Sequence, residues 1–257
     1  MTLDWSPLTT EMSRWRAEGR TIPIWWRDDD AVAVTPELEQ LQNLSVITGV
    51  PVHLAVIPAG AKSDLATFTA ERPNLLPLVH GWSHTNNAPR SEKKAEFSVS
   101  LDPEDMARDC KTGLTTMRSL FGDAMWPVFV PPWNRAPDTL ISRLADLGFT
   151  AISTFKPRNA THAAPGLQRI NTHLDPINWR QDKVLVADDR LIAQIADQFA
   201  ARREGRADAE EPYGLLTHHL VHDETIWSFT RDLLSRLCDG PIRLWTAREL
   251  TPAEGKV

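Results

Sequence analysis

The sequence predicts an α/β fold, a (β/α)7-8 barrel of parallel strands with outer helices. Three observations carry the prediction. Short apolar runs alternate with helical patterns along the whole chain. The runs are nearly all apolar, as strands of a parallel sheet covered on both faces are. Seven or eight such units fit into 257 residues, a usual length for a barrel. A doubly wound open sheet is the competing arrangement. A hydrophobic content of 42% is enough for a sizeable core, and no low-complexity linker divides the chain, so residues 1–257 are expected to form a single domain.

Taken in order, Leu3, Leu8, Met12 and Trp15 recur at helical spacing and end at Gly19, which predicts a capping helix within residues 1–19. Residues 22–27 read as the first strand, running into Asp28, Asp29 and Asp30. Thr35 as N-cap, Pro36 at the first helical position and Gly49 at the end punctuate a helix over 35–49. "VPVHLAVIP" is the second strand. Further strands are expected at 75–80, 125–130, 150–155, 167–171, 213–217 and 241–245. Helices are expected at 61–71, 102–121, 137–147, 188–205 and 223–238.

The formal net charge of −6 and the scattering of the 28 basic residues argue against nucleic acid or an anionic membrane as partner. Cys110 and Cys238 have no finger spacing, which implies neither a disulfide framework nor a cysteine zinc site. The N-terminus lacks a basic region followed by an apolar one, and no run of eighteen apolar residues occurs. A cytoplasmic protein is expected.

In a barrel, residues just past the strand ends share the face that carries the active site. That rim collects the three aspartates, His80 and His84, the segment Pro131-Pro132-Trp133-Asn134, Asp175 with Asn178 and Trp179, and His218-His219. His80 and His84 are four apart, a spacing that joins two imidazoles on one helical turn or across a tight loop. Two neutral imidazoles and one carboxylate make a divalent-metal set with open positions. Acidic runs are usually solvated, but this one sits on an apolar strand, and close like charges need a cation beside them. A second carboxylate there is placed to take a proton from water. His53, inside a strand, reads as a core histidine, and His162 as a surface one. His173, His219 and His222 fall near the rim as lesser candidates for substrate contact.

The order of these motifs resembles the polysaccharide deacetylase family, carbohydrate esterases built on an incomplete or distorted (β/α) barrel. "WRDDDA" is similar to the family's TFDDG, with Ala31 in the glycine position, and "HGWSH" to H-[ST]-x-x-H. "VPPWN" resembles RPPYG with Val130 in place of arginine. "DPINW" resembles D-x-x-D-W with Asn178 in place of the second aspartate, and Leu216-Thr217-His218 resembles L-x-H. The resemblance implies Asp30, His80 and His84 as ligands of a divalent metal, zinc by preference, with Asp29 as base and His218 as acid. A register shifted by one gives the aspartate roles to Asp28 and Asp29. It also implies a metal-dependent hydrolase cleaving the C–N amide bond of an N-acetylated sugar or related small amide. The alternatives are a hydrolase of another amide or ester, or a non-catalytic carbohydrate-binding or metal-binding descendant. The partner is then a small-molecule or oligosaccharide substrate, lined by Trp82, Pro132, Trp133, Asn134, Asp175 and Trp179. In the family the arginine orients the base and the second aspartate tunes the acid; Val130 and Asn178 do neither, and Asp175 and Asp223 are the residues at hand to compensate.

Overall fold

The structure is a computed structural model that describes residues 3–250. Helix α1 (Ser6–Ala17) leads into β1 (Ile22–Ala31), and α2 (Pro36–Thr48) into β2 (Val52–Val56). Helix α3 (Ser63–Ala70) precedes β3 (Leu75–His80), and α4 (Pro103–Phe121) precedes β4 (Val128–Val130). The short helices α5 (Asp138–Ile141) and α6 (Leu144–Leu147) then lead to β5 (Ala151–Ile152). Strands β6 (His162–Ala164) and β7 (Leu167–Arg169) form a hairpin, and β8 (Ile177–Asn178) pairs with β9 (Val184–Leu185). Helix α7 (Asp188–Arg203), β10 (Tyr213–Thr217), α8 (Glu224–Cys238) and β11 (Ile242–Leu244) complete the described chain.

The sheet order is β10-β1-β2-β3-β4-β5-β7-β6, with β11 against the start of β1. All neighbours run parallel except β6 and β7. Beyond β7 the chain stays extended beside β5, then crosses to the other end of the order. There the Leu174 N–H donates to the Gly214 carbonyl at 3.1 Å and the Leu216 N–H to the Leu174 carbonyl at 2.8 Å. A single parallel bridge, Leu174 to Leu215, thus brings the strand order round to its beginning.

Alternation along the strands divides the apolar side chains in two. Trp25, Ala55, Leu78, Val128, Val130, Ala151, Ile170 and Trp245 pack together inside the ring. Their neighbours Ile24, Trp26, Leu54, Val79, Phe129 and Ile152 belong to the larger cluster under the helices. The expected punctuation of α2 is present: the Leu38 N–H donates to Thr35 Oγ1 at 3.2 Å, and Gly49 closes the helix at φ 71°. Helix α1 is fastened to α7, with Trp15 Nε1 donating to the Phe199 carbonyl and Arg203 reaching Glu11.

Several elements differ from expectation: the strand expected over 150–155 is only Ala151–Ile152, β6, β8 and β9 have no expected counterpart, and three further differences have a physical cause. The helix expected over 137–147 is broken at Ser142-Arg143, where the Arg143 N–H turns back to the Leu140 carbonyl three residues earlier. The fourth strand is only Val128–Val130, because Pro127 has no N–H to give to a ladder. The first strand does not stop before the aspartates; it runs through them, Asp28 pairing in register with Thr217 on one side and Leu54 on the other. A register shift follows between Asp28 and Ala31. No described helix is long and apolar enough to cross a membrane.

Candidate metal and hydrolytic site

The bulge in β1 aims the three aspartates. Regular alternation sends Arg27 and Asp29 into the ring and Trp26 and Asp28 away from it. Asp30 then takes φ 76°, rare for a residue with a side chain, and turns its carboxylate to the mouth beside Asp29. Two consecutive aspartates therefore serve one site while the third serves another.

Asp30 Oδ1 lies 3.1 Å from His80 Nε2 and 3.2 Å from His84 Nε2. One ligand atom from each of the three residues lies within 4.8 Å of the others. The set fits a cation on chemical grounds. His80 Nδ1 is 2.9 Å from the Val130 carbonyl, which only accepts, so Nδ1 carries the proton. In the neutral ring Nε2 then presents a lone pair to a carboxylate oxygen, an arrangement that either a shared cation or a second ring proton relieves. Burial pulls the His80 ring towards neutrality, but the Asp29 and Asp30 carboxylates outweigh it and its pKa is raised. Burial works against the Asp30 charge too, yet the bond from His80 and the three nearby imidazoles hold its carboxyl well below the usual range.

His84 is carried by a loop with its own brace. Glu96, buried, accepts from the Ser83 N–H at 2.6 Å, the Trp82 N–H at 3.2 Å and Ser83 Oγ at 3.0 Å. Gly81 (φ 57°) has no room for a β-carbon: one would stand 2.1 Å from Glu96 Oε2 and 2.6 Å from the Pro132 ring. Pro132 is itself buried under this loop, which removes it from the candidate substrate lining. His84 (φ 56°), Trp133 (φ 55°) and Asn134 (φ 58°) share the left-handed conformation of Asp30, and such strain collects where surrounding structure enforces it.

Asp29 is gripped by Arg27, Nε to Oδ1 at 2.8 Å and an NH group to Oδ2 at 2.9 Å. The same guanidinium donates to Ser153 Oγ at 2.7 Å and Asn134 Oδ1 at 2.8 Å. Val130 indeed makes no such bond; Arg27 supplies a guanidinium from two residues before the carboxylate. His218 Nε2 stands 4.0 Å from Asp29 Oδ2.

Asp28 is fully buried and accepts from Thr217 Oγ1 at 2.6 Å, the His219 N–H at 3.0 Å and His219 Nδ1 at 2.5 Å. It ties down both neighbours of His218. Burial opposes the charge on each partner, but their mutual attraction leaves the Asp28 carboxyl lowered and the His219 imidazole raised.

Of the lesser candidates, His219 is taken up by Asp28, and His173 is buried against Glu211 at 3.1 Å. His222 packs edge-on to Trp227, with burial pushing its pKa down to about 4. None of the three reaches the mouth as a free side chain, since each is claimed by packing. His53 is a satisfied core histidine, bonded to the Trp26 carbonyl and the Ala247 N–H, and His162 is exposed. Trp133 lies against His84 with ring centroids 4.4 Å apart, and Trp179, 47% exposed, stands edge-on to His218 at 4.7 Å. Trp179 Nε1 donates to Asp175 Oδ2 at 2.7 Å, and burial raises the Asp175 carboxyl despite nearby His218. Asn178 turns away to Gln181, and Asp223 caps α8 through the Ile226 N–H. Of the two acids expected to compensate, Asp175 rather than Asp223 is thus the one that feels His218. Both cysteines are free.

Sequence reasoning missed Arg27 and Glu96. Arg27 had a signal, a charged residue in an apolar strand two positions from Asp29 and so on its face. Glu96 lies in a polar segment without periodicity.

No family model matches this chain, and no curated protein matches it. Solved structures do. A candidate polysaccharide deacetylase from Mycobacterium smegmatis superposes with a TM-score of 0.66 at 14% identity, over 93% of this chain and 95% of that one. The chitin deacetylase of Colletotrichum lindemuthianum gives 0.54 at 17% identity, over 90% and 88%. A family 4 acetyl xylan esterase from Clostridium thermocellum, in complex with a cobalt ion, gives 0.53 at 13%, over 89% of each chain. The chain shares the fold of these proteins.

Proposed function

We propose that the protein is a metal-dependent hydrolase that removes an acyl group from the nitrogen of an N-acetylated sugar or related small amide. One observation carries the reading: Asp30, His80 and His84 converge on one point, with Asp29 and His218 4.0 Å apart beside it. The fold shared with deacetylases and esterases supports the same chemistry. A divalent ion held by the three ligands, zinc by preference, supplies Lewis acidity there.

The chain's own residues do the rest. Asp29, oriented by Arg27, accepts the proton of the attacking water on an oxygen lone pair that the guanidinium leaves free. His218 Nε2 delivers a proton to the departing nitrogen. Trp133 and Trp179 wall the mouth against solvent, with Trp82 and Asn134 beside it. The two free cysteines suit a reducing, cytoplasmic setting.

Acetate release from N-acetylglucosamine oligomers, with metal content measured in parallel, tests the proposal. Wild-type protein releases acetate and holds one ion per chain; Asp30→Ala does neither. Release by Asp30→Ala at the wild-type rate refutes the metal assignment. One feature favours a second reading, a binding protein without turnover: His218 Nδ1 is buried with no partner, so nothing fixes the ring's tautomer. One ion per chain with no release from any amide or ester selects that reading.

A further inference from the structure

A groove of about 580 Å3 opens beside the site. It is bounded by the 92–99 segment, the start of α5 and the β5–β7 edge. Two of its lining residues touch the guanidinium that grips Asp29: Asn134 through Oδ1 at 2.8 Å, and Thr154 through its carbonyl at 3.4 Å. One end of the groove is therefore a single residue away from the proposed base.

The charge of this groove runs against that of the molecule. The chain carries −6, yet Lys93, Arg135 and Arg169 line the groove against Glu92 and Asp138. None of these five forms an ion pair with another. Arg135 is spent on the Lys94 carbonyl, and Glu92 and Asp138 are exposed. Arg169 differs from the rest. It is half-buried on β7, its Nε is shielded from solvent without any partner, and its guanidinium makes no hydrogen bond. The terminal NH groups of its guanidinium are neither shielded nor bonded, so they are what an oxyanion in the groove meets, and the planar fork matches carboxylate and phosphate alike.

We infer that Arg169 is a specificity residue, and that the groove takes an oxyanion-bearing substituent, carboxylate or phosphate, of the same substrate whose amide is hydrolysed. This rests on the proposed function for the identity of the site. The substrate is then an acidic N-acylated saccharide rather than a neutral one. Lys93 and Arg135 add attraction at the rim, and Asn134 links occupancy of the groove to the Arg27–Asp29 pair.

Calorimetric binding separates this inference from turnover. Three tetrasaccharides serve as probes: neutral N-acetylglucosamine tetramer, one alternating N-acetylglucosamine with glucuronate, and the neutral tetramer bearing one phosphate. At least one acidic probe binds about tenfold tighter than the neutral one, a usual worth for a charge-assisted bond. In Arg169→Gln that ratio falls to near one, whereas a remote control, Arg14→Gln, preserves it. Which acidic probe gains tells carboxylate from phosphate. Equal affinities in the wild type, no binding of any probe, or a ratio unchanged in Arg169→Gln overturns the inference. The preference present without acetate release instead overturns the proposed function and leaves the subsite standing.

Discussion

The two sides of the barrel mouth are built differently. On the β1–β4 side the groups are braced: Asp29 on Arg27, Arg27 on Ser153 and Asn134, His80 on the Val130 carbonyl, and the His84 loop on Glu96. On the β8–β10 side, His218 Nδ1, His219 Nε2 and His222 Nδ1 are buried without partners. Trp179 there is half exposed, and the strands beneath it, β8 and β9, have two residues each. The first side is organised in advance to hold charge. The second leaves three buried ring nitrogens unpaired, although Asp28 holds Thr217 and His219 in place on either side of His218.

The largest expected effect breaks the fixed side. Arg27→Met leaves the Asp29 carboxylate buried without its partner, a loss of about 3–5 kcal/mol. In a chain of this size that is a fall in melting temperature on the order of 10 °C. Thermal unfolding measures it, and a fall below about 3 °C contradicts the weight given to the pair. Replacing both partners, Arg27→Met with Asp29→Leu, recovers part of the loss, because no orphaned charge remains.

Next comes the pair between the two sides. Asp28→Asn weakens three hydrogen bonds at a fully buried group and costs about 2–3 kcal/mol. Its pH dependence has a definite sign. The His219 imidazole is raised above its ordinary 6.5, so its share of the stability is complete below 6.5 and disappears as pH rises through the raised value. The Asp28 carboxyl is lowered below its ordinary 3.8, so its share is complete above 3.8 and disappears as pH falls through the lowered value. The stability gap between wild type and a His219→Gln, Asp28→Asn double variant is therefore widest between about pH 4 and 6.5. It narrows on the alkaline side. Denaturant unfolding across that range checks it, and a gap that widens above pH 7 reverses the assignment.

What the sequence made legible follows the same division. The parallel barrel, the capped α2 and the pairing of His80 with His84 were readable because each rests on a local pattern: apolar runs, cap residues, a four-residue spacing; that Asp30 joins them was implied only by the family resemblance, in one of two registers. The bulge at Asp30 was not, since it depends on the register of β1 against β2, a relation between distant segments. Glu96 was hidden for the same reason: its partners are 13 and 14 residues away through an irregular loop. Asn178 drew attention by its place in a motif and Asp223 as an acid at hand to compensate for it, and tertiary packing assigned them to a turn and a helix cap.

Glu96 gives a smaller and more selective effect. Glu96→Ala removes the acceptor for two backbone N–H groups and one hydroxyl in the loop that presents His84. Zinc affinity falls 10–100-fold, the usual cost of losing an outer support of a ligand, while Glu96→Gln, which keeps one acceptor oxygen, falls less. Calorimetric zinc titration reads both. Equal affinity for Glu96→Ala and wild type leaves the loop without need of its brace.

The smallest expected effect is on the β8–β10 side. Trp179→Phe keeps an aromatic ring near His218 and removes the N–H that Asp175 Oδ2 accepts together with part of the indole. With the indole 47% exposed, stability changes by under about 0.5 kcal/mol. The sensitive readout is the Asp175 carboxyl. Burial already raises it, and the indole bond opposes that by favouring the charged form, so losing the bond moves its titration further up. Carbon-13 NMR of the Asp175 carboxyl follows the shift directly; a midpoint that stays put or moves down means that Trp179 does not hold this group. Removing one neutral donor here and one cationic donor at Arg27 are like operations on two carboxylates of the same mouth. A stability cost several times larger at Arg27 is what a buried carboxylate with a cationic partner, set against one bonded to a half-exposed indole, requires.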